Sequence, residues 1–174
     1  IKYFFELYSN KNVILSNPCF GMYNVYSHMM GMDVITTPYQ FGKFDVKNTI
    51  RNITKDSVVV LSNPSSPIGD VISRGDLLKI LYCGVPTLVD EAYIEFSNEE
   101  SVIALTERFP NLFVVRSMSK AWGSAGVRVG VIISQNQNIE EMMLYKDMYE
   151  ISGLGVKWVH VLINNKDSVY KYID

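Results

Sequence analysis

Apolar, β-branched runs alternate along this chain with stretches in which apolar residues recur at helical spacing. NVILS (residues 12–16), DVITTP (33–38), PTLVD (86–90), LFVVR (112–116) and VRVGVIIS (127–134) each have the length and composition of a strand. SVVVLS (57–62) is apolar almost without interruption, which predicts a strand covered on both faces. Between these runs, GMYNVYSHMMG places Met22, Tyr26, Met29 and Met30 on one helical face, with Gly31 as the stop. DVKNTIRNI begins on Asp45 as an N-cap and turns Val46, Ile50 and Ile53 to one side. SRGDLLKILYC opens with Ser73 and Asp76 at close to capping-box spacing and directs Leu77, Leu78 and Leu81 inward. NEESVIALTERF (98–109), NIEEMMLYKDMY (138–149) and the tail over 155–174 complete the predicted helices.

Strand–helix–strand alternation at this spacing predicts an α/β domain, a three-layer αβα sandwich around a mostly parallel sheet. Right-handed crossovers then gather the loops that follow the strands along one edge. In open α/β sheets that carboxyl edge is where ligands bind. The unusual residues of this chain all lie just past strand ends.

Length and charge narrow the field. At 174 residues the chain is long enough for one domain with a sizeable core, and its formal net charge is −2. It has no basic block and no basic–aromatic stripe, so nucleic acid is not an expected partner. No apolar run approaches a membrane span. IKYFFELYSN lacks the parts of a signal peptide, and the chain does not begin with methionine, as expected of a fragment or processed product. Cys19 and Cys83 are far apart and form no C-x-x-C pair, which argues against a disulfide scaffold or zinc site and fits a reducing cytoplasm. His28 and His160 are too isolated for a metal cluster.

Three strand-end clusters carry the chemistry. In LSNPSSPIGD, Asn63 ends a strand, and Pro64 and Pro67 bias the residues before them toward extended geometry. This is either a rigid turn or a stiff loop that aims the Asn63 amide at a ligand. In TLVDEAYIEF, Asp90 and Glu91 end an apolar strand, where a carboxylate is costly unless paired. Its partner is a helix terminus, a salt bridge or a cationic ligand atom, and Ala92 is small enough to admit a flat ring. In VVRSMSKAWGSAGVRVG, Lys120 sits among Ser117, Ser119 and Ser124, with Gly123, Ala125 and Gly126 removing bulk and Arg128 adding a second cation. A lone lysine is ordinarily a solvated surface residue. Hydroxyls with an arginine suit a phosphate dianion, however, and a partly desolvated lysine beside another cation has a lowered pKa and acts as a nucleophilic amine. One ligand satisfies all three clusters: pyridoxal 5′-phosphate has a phosphate, an aldehyde for a lysine, and a ring nitrogen that prefers a carboxylate.

These stretches resemble the fold-type I pyridoxal-phosphate enzymes of the class I/II aminotransferase family, most closely its histidinol-phosphate aminotransferase branch. NPSSPIG is similar to the family's Asn-Pro-x-x-Pro-Thr-Gly loop, DEAYIEF to its Asp-Glu-Ala-Tyr-x-x-Phe strand end, and SMSKAWGSAGVRVG to its Ser-x-Ser-Lys…Gly-x-Arg-x-Gly signature. The three occur in the family's order and spacing, and the resemblance covers essentially the whole chain.

The resemblance implies that Lys120 forms the internal aldimine and later moves the proton at the substrate carbon. Asp90 pairs with the pyridine nitrogen, and Asn63 and Tyr93 hydrogen-bond the ring's phenolic oxygen. Ser117 and Arg128 bind the phosphate, with Ser119 as an additional contact. Ala92 packs on one ring face and Phe20, in NPCFGMY, on the other, although a core position at a helix start is the ordinary alternative for Phe20. Ile68 stands where the family has threonine. The family's phosphate-binding turn before IKYFFELYSN is absent, as are its N-terminal segment and its C-terminal small domain with the arginine that grips the substrate carboxylate. Residues 1–174 are therefore expected to form part of the cofactor-binding large domain, with the tail from about residue 155 starting the interdomain helix. The implied reaction moves an amino group between an amino acid or amino-alcohol phosphate and a 2-oxo acid, in a cytoplasmic homodimer. The alternatives are a decarboxylase of the same family acting on a threonine-phosphate-like substrate, and a non-catalytic fragment that binds only partners or loose cofactor.

Overall fold

The sheet runs in the order β2-β1-β3-β4-β5-β6, and its central strands β1, β3, β4 and β5 are buried because helices cover both faces, while the edge strands β2 and β6 are more exposed. The computed structural model describes residues 1–148 and 150–173. The strands are β1 (Asn12–Asn17), β2 (Val34–Pro38), β3 (Ser57–Ser62), β4 (Thr87–Asp90), β5 (Leu112–Ser117) and β6 (Gly130–Ile133). The first five pair in parallel, and β6 adds to the β5 edge antiparallel. This is the three-layer, mostly parallel architecture that the alternation of runs predicts.

Alternating side chains divide the core between the two faces. Val13, Leu15, Val58, Val60, Leu88 and Phe113 pack under α1 (Lys2–Leu7), α2 (Gly21–Met29) and α5 (Asn136–Met143) through Phe4, Phe5, Tyr23 and Met142. Ile14, Val59, Leu61, Val89, Leu112 and Val114 face the opposite side, against α3 (Val46–Asn52) and α4 (Arg74–Leu81). Every residue of β3 is buried, as expected of a strand covered twice.

Local signals behave as the chemistry of helix ends dictates. Asp45 accepts the Asn48 amide and Ser73 accepts the Asp76 amide, capping α3 and α4. Gly31 follows α2 with φ of 65°, a left-handed stop that glycine adopts without a Cβ penalty.

Five expectations are corrected. The inward face of α2 is set by Tyr23 and Ser27, while Met29 is 60% exposed, because the helix turns the Tyr23 hydroxyl toward the end of β4. The segment 98–109 does not form an α-helix. Glu91 holds Ser101 and the Val102 amide, and only a 3-10 turn, Ile103–Glu107, follows before Pro110. The strand expected over 127–134 shortens to β6, because a 3-10 turn at Ala125–Val127 and a left-handed Arg128 occupy its start. The tail breaks at Asn165 into α6 (Gly153–Asn164) and α7 (Lys166–Tyr170). The helix expected over 138–149 ends earlier, at Met143, and Tyr149 and Asp174 lie outside the described residues. The helix α1 has no counterpart among the predicted elements.

Candidate functional site

Strand register brings the three sequence clusters to one edge. Ser62 pairs with Asp90, and Asp90 with Val115, so β3, β4 and β5 end at nearly the same level. Past those ends, the Asn63 amide donates to the Asp90 carbonyl at 2.9 Å and the Glu91 amide to the Val115 carbonyl at 2.8 Å. Asn63, Asp90 and Ser117 thus leave the sheet side by side, and Phe20 follows β1 on the same edge.

Asp90 is 5% exposed. Its Oδ2 accepts the Tyr23 hydroxyl at 2.8 Å and its Oδ1 accepts the Ala92 amide at 3.0 Å. Burial pushes its pKa up, while the two hydrogen bonds and the positive charges of the Ile1 amino terminus and of Lys120 oppose the shift. Burial and the Asp90 charge push the Tyr23 hydroxyl's pKa up, so Tyr23 remains a donor. A carboxylate has about four acceptor positions, and two protein donors reach this one among the described residues. It retains room for a further donor, and a cationic one suits it best.

Asn63 is buried and doubly bound to Ile72, accepting its amide at 2.9 Å and donating to its carbonyl at 3.3 Å. The amide is therefore aimed by this pair as well as by the prolines, and one Nδ2 hydrogen remains to donate. Asp70 ties down the far end of the loop. It receives Lys43 Nζ at 2.7 Å and the Phe44 amide at 2.8 Å, and its own amide donates to Ser65 Oγ.

Lys120 lies in a tight turn in which the Gly123 amide reaches the Lys120 carbonyl and the Ser124 amide the Met118 carbonyl, both at 2.9 Å. Gly123 has φ of 61°. Lys120 is exposed, a correction to the expected partial desolvation: its small neighbours leave the ammonium open on one side. Nζ sits 5.0 Å from the centroid of the Tyr93 ring, within cation–π range. Ser117 Oγ accepts the Ser119 amide at 3.1 Å. Ser124 is not available as a ligand hydroxyl, since Trp158 Nε1 donates to it at 2.8 Å and it donates to the Trp122 carbonyl. Arg128 is exposed, with its guanidinium on the Ala125 carbonyl at 3.0 Å and its backbone left-handed at φ 57°. For a residue with a Cβ this conformation costs about 1–2 kcal/mol. Phe20 is 42% exposed and edge-on to Tyr23, which removes the core alternative for it.

Glu91 belongs to the frame. Fully buried, it accepts Ser101 Oγ at 2.6 Å and the Val102 amide at 2.7 Å, and Arg116 lies 3.6 Å away. Burial pushes its pKa up, and these partners oppose that. Arg116 also pairs with Glu95, whose Oε1 receives Trp122 Nε1 at 2.7 Å.

Sequence reasoning missed Tyr23, Glu95, Arg116 and Trp122. The only signal for them was a polar or amphipathic side chain in an otherwise apolar element. Beside the edge, a groove of about 580 Å³ runs between the Pro64–Gly69 loop and Tyr93, Phe96 and Asn98. Tyr93 therefore faces both the groove and Lys120.

A family model described as aminotransferase class I and II matches residues 2–172. A histidinol-phosphate aminotransferase of Chlorobium phaeovibrioides is 36% identical over 159 residues, covering 88% of this chain and 44% of the relative. The chain spans about half the length of the curated relatives it matches. Among solved structures, a histidinol-phosphate aminotransferase from Sinorhizobium meliloti, in complex with pyridoxal-5'-phosphate, superposes with a TM-score of 0.90 at 19% identity, covering 99% of this chain and 49% of that one. An L-threonine-O-3-phosphate decarboxylase from Porphyromonas gingivalis superposes with a TM-score of 0.79 at 21% identity, over 95% and 51% of the two chains. At these identities the superpositions establish the shared fold.

Proposed function

This chain belongs to the class I and II aminotransferase family, and from that premise we propose that its protein is a pyridoxal-phosphate-dependent aminotransferase. It exchanges an amino group between an amino acid or amino-alcohol phosphate, histidinol phosphate being the type, and a 2-oxo acid. The observation that carries this reading is the buried, under-filled carboxylate of Asp90 on the same sheet edge as Lys120.

The donor set fits the cofactor, which when bound supplies an aldehyde for amines and a ring that withdraws electrons from the substrate carbon. Asp90 holds a proton on the ring nitrogen. The free hydrogen of Asn63 Nδ2 and the Tyr93 hydroxyl donate to the ring's phenolic oxygen. Ser117, Ser119 and Arg128 bind the phosphate, and the strained backbone of Arg128 supports a functional role for it. Ala92 and the exposed ring of Phe20 flank the cofactor ring. Lys120 would supply the amine that condenses with that aldehyde, with loss of water, and, freed when the substrate amine takes its place, would hold and move the proton of the substrate α-carbon.

Residues 1–174 form the cofactor-binding part of the large domain, and the tail from about residue 155 leads toward a small domain. Exposed Leu154, Trp158 and Val161 on α6 support a covering element there. The protein works as a cytoplasmic homodimer, a reading supported by family membership. No helix among the described residues is long and apolar enough to cross a membrane.

The same residues serve a decarboxylase, and the match to the Porphyromonas gingivalis enzyme favours keeping that second reading. Incubation with histidinol phosphate and a 2-oxo acid, and separately with threonine phosphate, decides between them. Formation of a new amino acid from the oxo acid is expected. Release of carbon dioxide from threonine phosphate without amino transfer would overturn the aminotransferase reading in favour of the decarboxylase.

A further inference from the structure

Two short segments pass each other beside the lysine, and they touch at matching intervals. Tyr93 meets Lys120 through its ring, and two residues further along each segment Glu95 meets Trp122. The second contact is the firmer one. The Glu95 side chain is 3% exposed and its Oε1 accepts both the Trp122 indole and Arg116. Arg116, 17% exposed, is held in turn by the fully buried Glu91. An indole N–H only donates, so the direction of the Trp122 bond is fixed, and a bond to a carboxylate is stronger than one between neutral groups. Lys120 itself is exposed, on a flexible stem.

We infer that the Trp122–Glu95 hydrogen bond sets the register of these two segments and so holds the Lys120 ammonium over Tyr93. Trp122 and Glu95 are positioning residues for the lysine. The importance of this for catalysis rests on the role of Lys120 proposed above. The other tryptophan, Trp158, donates to Ser124 at the far end of the same turn and supplies the natural control.

Trp122→Phe keeps aromatic bulk in the cluster with Met118 and Val129 while removing the donor. The reactivity of Lys120 toward acetic anhydride is measured without cofactor by mass spectrometry, with the other lysines as internal reference. Reductive trapping of pyridoxal 5′-phosphate at Lys120 is measured in parallel. Freed from the ring, Lys120 is expected to acetylate about two- to five-fold faster in the variant, and to trap the cofactor more slowly. Trp158→Phe is expected to change both by less than two-fold at a comparable melting temperature. Should Trp122→Phe fail to fold, Glu95→Ala makes the same test from the acceptor side. Lys120 acetylation within two-fold of wild type in Trp122→Phe, or in Glu95→Ala, would overturn the inference. So would equal changes in Trp158→Phe, which would mark a general loosening. Altered acetylation in Trp122→Phe, alongside a wild-type protein that traps no cofactor at Lys120, would sustain the positioning and overturn only the proposed function.

Discussion

The Tyr23 hydroxyl donates to Asp90 Oδ2 at 2.8 Å, across 67 residues of chain and inside the core. Tyr23 is 1% exposed and Asp90 5%. The bond joins α2 to the end of β4 and helps a buried carboxylate to keep its charge. Tyr23→Phe leaves the ring and its packing in place. Its free energy of unfolding in urea is expected to fall by about 2 kcal/mol, the range for a lost hydrogen bond to a charged group. An unchanged urea midpoint would show that Asp90 does not depend on Tyr23.

Asp90 also gives the stability a pH slope. Its folded-state pKa is raised by burial, so the folded chain holds this proton more tightly than the unfolded one. Stability from this group is fully present below the unfolded value of about 4 and falls as pH rises toward the folded value. Asp90→Asn lacks that slope. The stability of the variant relative to wild type is therefore expected to increase as pH is raised from 4 through that window, then level off. Urea titrations at a series of pH values measure it, and a difference that shrinks with rising pH would contradict the assignment.

Arg128 pairs backbone strain with a cation at the site edge. Arg128→Gly relieves the left-handed penalty and removes the guanidinium. Unfolding free energy is expected to rise by about 0.5–1 kcal/mol, while affinity for pyridoxal 5′-phosphate drops at least ten-fold, as read by titration of its absorbance. A variant that is less stable, or that binds the cofactor as tightly as wild type, would contradict this trade.

Glu91 holds the turn after β4 from inside the core. Glu91→Ala leaves the Ser101 hydroxyl and the Val102 amide without their acceptor and Arg116 with Glu95 alone, and is expected to cost about 3–5 kcal/mol by urea denaturation. A loss below 1 kcal/mol, well under that range, would show that solvent or Glu95 replaces it.

Strands and site loops were legible in the sequence because their signals are local. Ser57–Ser62 is continuously apolar, and Asn63, Asp90 and Lys120 stand just past strand ends. What was hidden depends on distant partners. Tyr23 has the pattern of a core helix residue until the sheet brings Asp90 above it. The segment after Asn98 has helical composition, yet Glu91 holds its start in another conformation. In α1, Phe4 and Phe5 face the core while Tyr3 and Leu7, with Tyr8 just past its end, are partly buried, so apolar residues nearly surround the short helix and no periodicity shows. The Glu95–Trp122 contact follows from two turns meeting, which no spacing within either one encodes.

The role assigned to Lys120 is settled by a single chemical trap. The protein is mixed with pyridoxal 5′-phosphate, reduced with borohydride, digested and mapped by mass spectrometry. A pyridoxyl group on Lys120, lost in Lys120→Arg without transfer to another lysine, is the expected result. Adducts spread over surface lysines such as Lys11 and Lys157, with none on Lys120, would contradict it.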